Sequence, residues 1–100
     1  MTTIQYDGLG VLIDDDAQMV KKIIEDTFPK LVRIAQNECT LHVHVRKVDK
    51  GGHQDRQEIR LRFDIPSKKI FESHYEDFDL AKAVHKTCDA LLGQVESAFK

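Results

Sequence analysis

The chain closes on an amphipathic helix that follows a run of alternating strands, and that order leaves few folds open. Between Asp77 and Val95, Leu80, Val84, Thr87, Cys88, Leu91 and Val95 recur at steps of three and four, the spacing of one helical stripe. Lys82, His85, Lys86, Asp89 and Glu96 fall off that stripe. Asp77 or Asp79 supplies a carboxylate for the free N–H groups of the first turn, so the helix has a marked start.

Upstream the period changes to two. Cys39, Leu41, Val43 and Val45 alternate with Thr40, His42, His44 and Arg46 in the clearest strand, Cys39 to Val48. Gln57 to Phe63 alternates again, with Ile59, Leu61 and Phe63 inward and Arg60 and Arg62 outward. Ile65-Pro66-Ser67 breaks the pattern. In a third run Phe71, Ser73 and Tyr75 are read inward and Ile70, Glu72 and His74 outward, although Ile70 and Phe71 compete for the core. Hairpin-length connections make these three strands an antiparallel meander. The polar turn from Lys50 to Asp55, with Gly51-Gly52 at its centre, is expected to be the most mobile internal segment.

The first third adds one strand and one helix. Thr2 to Tyr6 is β-prone, and Asp7-Gly8-Leu9-Gly10 reads as a turn. Asp14-Asp15-Asp16 precedes a helical pattern with Ala17, Val20, Ile24, Thr27, Phe28 and Leu31 on one face and Lys22, Asp26, Lys30 and Arg33 on the other. The three aspartates suit capping and the positive end of the helix, and they lack the alternating oxygens and glycine turn of a calcium loop. Pro29 should kink or end this helix, with a further turn through Arg33. The order β-α-β-β-β-α predicts an α+β, two-layer sandwich: a four-stranded sheet with both helices on one face. Residues 1–100 have room for one such domain.

Composition narrows the function. No apolar run approaches the ~20 residues that cross a bilayer, so no membrane partner is expected. Met1 to Asp7 has neither a basic nor an apolar leader region, so no secretory signal is read and the expected location is cytoplasmic. Cys39 and Cys88 both fall on inward faces and are read as reduced core residues. With both thiols inward, no Ser-His-Asp or Cys-His set and no glycine-rich phosphate loop, the chain is not read as an enzyme, and no cofactor or small-molecule substrate is implied. His42, His44 and His74 have the inventory of a zinc site, but Arg60 and Arg62 beside them would repel a cation, so no metal is assigned. A net charge of −2 means that any nucleic-acid binding must use positive charge gathered on one surface.

The terminal helix carries Asp79, Leu80, Ala83, Val84, Asp89, Leu91 and Gln94 at fixed distances, the first helix ends near Lys30-Leu31, and the next strand runs Leu41 to Val48. In this joint spacing the chain resembles the ribosome hibernation-promoting and ribosome-associated inhibitor family, also labelled sigma-factor modulation proteins. It is similar to the short form, without the C-terminal dimerisation domain of long members. The resemblance implies one sheet with two helices on one face. It also implies a cytoplasmic, non-enzymatic partner of the small ribosomal subunit and its rRNA, lodged in the mRNA and tRNA channel. The family's exposed basic pair on the last helix is Ala90 and Gly93 here, and its lysine-rich tail is replaced by Glu96-Ser97-Ala98-Phe99-Lys100.

Two basic surfaces are left as RNA-binding candidates. Lys22, Lys30 and Arg33 on the first helix, with Lys82 and Lys86 on the second, form a ridge if the helices pack side by side. The open sheet face offers Arg46, Arg60 and Arg62 with His42, His44 and His74, bordered by Lys68 and Lys69. A solvated polar face gives the same alternation without any ligand. Glu72, Glu76, Asp77 and Asp89 beside these cations fit an alternative function, a regulatory module that binds a protein partner.

Overall fold

A computed structural model describes residues 2–48, 56–66 and 69–99. Strand β1 (Thr3–Asp7) leads through a 3-10 turn at Leu9–Val11 into helix α1 (Asp14–Ala35). Strands β2 (Thr40–Val48), β3 (Arg56–Ile65) and β4 (Lys69–Asp77) follow, and helix α2 (Leu80–Ala98) closes the fold. The sheet order is β1-β2-β3-β4, with β1 parallel to β2 and the other neighbours antiparallel. The α+β order and the meander are as the sequence predicts. The expected hairpin mobility at Gly51-Gly52 and the border residue Lys68 lie outside the described residues.

Period two builds the inner sheet face. Leu41, Val43 and Val45 stand beside Phe63, Leu61 and Ile59 in register, all fully or almost fully buried. Val20, Ile24 and Leu31 of α1 and Leu80, Val84, Cys88, Leu91 and Val95 of α2 close over them in one core. Ile4 is only half-buried, because β1 is an edge strand with one neighbour. Gly8 has φ 88°, and a Cβ there would collide with the Val45 carbonyl oxygen, so this turn requires glycine. Asp79 caps α2 by accepting from the Lys82 N–H at 3.2 Å.

Three local expectations are modified. Pro29 neither ends nor shortens α1, which continues to Ala35. The proline lies on the exposed side, where the carbonyl of Glu25 that loses its N–H partner can be hydrated, while Leu31 and Ala35 anchor the following turns in the core. The three aspartates occupy the first turn of α1 behind an extended Ile13 and make no side-chain cap, which leaves only their favourable position at the helix's positive end. In β4 the register settles Phe71 inward and Ile70 outward. Tyr75 follows the inward parity but stays 42% exposed, since β4 is the other edge and α2 alone covers it.

Candidate nucleic-acid interface

The open face of the sheet is built from cross-strand rows. Asp7, His44, Arg60 and His74 form one row, and Gln5, His42, Arg62 and Glu72 the next. Arg46 faces Glu58, which in turn faces Glu76. Side chains within these rows, and between one row and the next, are close enough to neutralise one another. Arg46 Nε lies 2.9 Å from Glu58 Oε1, and Arg60 Nη2 lies 3.7 Å from the same oxygen. Arg62 Nε lies 2.9 Å from Asp64 Oδ1, while His42 Nε2 is 3.2 Å from Asp64 Oδ2. His44 Nδ1 is 3.0 Å from Asp7 Oδ2. His42, His44, Arg60 and Arg62 line a shallow depression of about 310 Å³.

Glu58 is the pivot of this face. It is only 7% exposed, covered by the two arginines that it pairs. Arg56 joins the face beyond the residues read from the sequence: its guanidinium stacks 4.6 Å from the Phe78 ring centre and pairs with Glu76 at 3.3 Å. A signal for it exists, since Arg56, Glu58, Arg60, Arg62 and Asp64 continue one period-two series. Among the described residues, all four arginines of the sheet face lie within 4 Å of a carboxylate.

The helix face differs. Lys22, Lys30, Arg33, Lys82 and Lys86 are all exposed, and among the described residues none is within 4 Å of a carboxylate oxygen. The helices lie side by side, with the Thr27 hydroxyl against the Cys88 thiol. Burial pushes that thiol above its ordinary range, the Thr27 hydroxyl offsets part of the effect, and Asp89 adds to it. β1 and β4 point the same way, so the helices that return from them run in the same direction. With Thr27 level with Cys88, the rise of about 1.5 Å per residue sets Lys82 and Lys86 beside the half of α1 that holds Lys22. Lys30 and Arg33 fall further along, level with Ala90 and Gly93. Along the shared axis Lys22, Lys82 and Lys86 therefore fall at one level and Lys30 and Arg33 at another.

Asp77 borders Lys82 and Lys86. Its carboxyl is held below the usual carboxylate range by the Asp79 N–H, with Lys82 and Lys86 adding to the effect and slight burial opposing it. Across the described residues, no group of three or more His, Cys, Asp or Glu side chains is placed to hold a metal ion.

Fold and surface thus define a small two-layer α+β domain with a neutralised sheet face and a cationic helix face. The sequence matches no protein-family model and no curated protein. In structure the chain is similar to the N-terminal domain of Protein Y from Thermus thermophilus, with a TM-score of 0.67 and 20% identity over 98% of this chain and 99% of that one. It is also similar to a ribosomal subunit interface protein from Coxiella burnetii, with a TM-score of 0.57 and 22% identity over 98% and 93% of the two chains. The likeness is one of fold, and it extends the resemblance carried by the terminal helix to the whole architecture.

Proposed function

We propose that this chain is a ribosome-associated factor of the hibernation type: a non-enzymatic cytoplasmic protein that binds small-subunit rRNA in the mRNA and tRNA channel. The fold shared with a ribosomal subunit interface protein supports the partner. The observation that selects the surface is the contrast in pairing. A phosphate contact gains most from a cation that need not first leave a carboxylate, and among the described residues Lys22, Lys30, Arg33, Lys82 and Lys86 on the helices are of that kind, with Lys47 and Lys69 at the ends of β2 and β4. Lys22, Lys82 and Lys86 make the principal contacts in this reading, and Lys30 and Arg33 a secondary one. Arg46, Arg60 and Arg62 contribute less, because RNA must compete with Glu58 and Asp64 for them.

A second reading has its own support: the balanced charge of the sheet face suits a protein partner. Gradient co-sedimentation with ribosomes at low and moderate salt separates the two. Counterion release makes phosphate binding fall steeply with salt. Association that is absent at low salt, or insensitive to salt, favours the protein-binding module.

A further inference from the structure

The free edge of β4 carries a pattern that the ribosomal reading does not use. The strand reads Lys69-Ile70-Phe71-Glu72-Ser73-His74-Tyr75-Glu76-Asp77. Laid antiparallel against itself about Ser73, it places Lys69 opposite Asp77, Phe71 opposite Tyr75 and Glu72 opposite His74. Only Ile70 against Glu76 is indifferent. Moving the centre to Glu72 sets two glutamates face to face, and moving it to His74 sets Glu72 against Glu76 twice. The register about Ser73 pairs unlike charges and like aromatics over all nine residues; the one about Tyr75 also pairs His74 with Glu76 but overlaps only five.

The backbone agrees with that register. Gln94 Nε2 donates to the Glu72 carbonyl at 2.7 Å, so this carbonyl points to the free edge rather than to β3. By alternation, Ile70, Glu72, His74 and Glu76 all present their N–H and C=O groups outward. Centring on Ser73 makes Glu72 and His74 a hydrogen-bonded pair. It makes Phe71 and Tyr75 a non-hydrogen-bonded pair, where side chains stand closest. Ile70 and Tyr75 are 54% and 42% exposed on this edge. The neighbouring flank of α2, on the side of Gln94, carries the small residues Ala90 and Ser97 one heptad apart, which lets a second helix approach closely.

We propose that β4 pairs with β4 of a second copy of this chain, antiparallel about Ser73, to join two four-stranded sheets into one across a two-fold axis. An exposed edge strand is a ready template for pairing, and Gln94 is its guard. In the dimer the His74 N–H of the second copy takes the place of the Gln94 amide on the Glu72 carbonyl. The two copies are identical, so the interface is self-complementary and closes at two.

Sedimentation equilibrium from about 1 μM to about 1 mM of the full chain tests this, because mass action makes a homodimer concentration-dependent. The expected result is a mass that rises from one chain to two. His74→Glu sets like charges opposite each other at both symmetric positions and should leave a monomer, while the introduced carboxylate still faces Arg60 within its own sheet. Adding Glu72→His restores unlike pairs and should restore the dimer. Gln94→Ala frees the edge and should move dimerisation to lower concentration. Amide exchange at Ile70, Glu72, His74 and Glu76 should slow as the dimer forms. A native chain that is monomeric throughout, or a dimer indifferent to His74→Glu, overturns the proposal.

Discussion

The two faces of this domain carry comparable numbers of cations and differ in what those cations touch. On the sheet, Glu58 meets Arg46 across the strands and Arg60 two residues along its own strand, and Asp64 likewise meets His42 across the strands and Arg62 along its own. On the helices, among the described residues, Lys22, Lys82 and Lys86 project into solvent with no carboxylate within 4 Å. A count of basic residues therefore misjudges a surface. The available positive charge is the part that the fold has not already paired, and among the described residues most of it lies on the helices, with Lys47 and Lys69 the exceptions on strands.

The strongest way to break the comparison is to remove the core that both faces share. Leu91 is fully buried between α2 and the sheet, and Leu91→Ala should cost about 2–5 kcal/mol, read as a lower midpoint in chemical denaturation. Next in size is the functional split. Lys82→Glu with Lys86→Glu should abolish ribosome association while leaving the melting temperature nearly unchanged, since both side chains lie off the apolar stripe. Ala90→Lys with Gly93→Arg should strengthen association and steepen its salt dependence, by adding two cations to the exposed side of α2 that carries Lys82 and Lys86. A Cβ at Gly93 meets no neighbour within 4 Å, so this recharged helix has room.

A subtler change sharpens the contrast from the other side. Glu58→Gln keeps shape but removes the charge that holds Arg46 and Arg60, so stability should fall by about 1 kcal/mol, because both arginines are half-exposed and solvent screens the pairs. The same change should raise the affinity of the sheet face for a short RNA, measured by fluorescence anisotropy. The smallest effect concerns Asp77, whose carboxyl is held below its ordinary range in the folded chain. A depressed folded value stabilises above the ordinary aspartate range and is lost as pH falls through the lowered value. Asp77→Asn should thus be less stable than the native chain near neutrality, with the gap in denaturation midpoint closing in acid.

The fold was legible because its signals are local and agree with one another. Period two in β2 and β3, the stripe from Leu80 to Val95 and the Asp79 cap each point to the same sandwich. Pro29 leaves a kink or an end open in the sequence, and that α1 does not end there depends on which side of it meets solvent and on the burial of Leu31 beyond. Tyr75 misleads because parity gives direction but not cover, and cover fails at an edge strand. The sheet face was half legible: Glu58 and Asp64 share the parity of Arg60 and Arg62. The His44–Asp7 contact, however, requires the parallel register of β1 on β2, which joins residues far apart in the chain. Likewise, the level of the helix cations along the shared axis requires the offset that sets Thr27 beside Cys88.

The central claim is that the helix face, not the sheet face, meets the ribosome. The most direct measurement is gradient co-sedimentation with ribosomes, at low salt, of the native chain, the Lys82→Glu/Lys86→Glu variant and an Arg60→Gln/Arg62→Gln variant. The account predicts that the native chain and the sheet variant travel with the small subunit while the helix variant stays at the top. Loss of binding in the sheet variant with retention in the helix variant would contradict it.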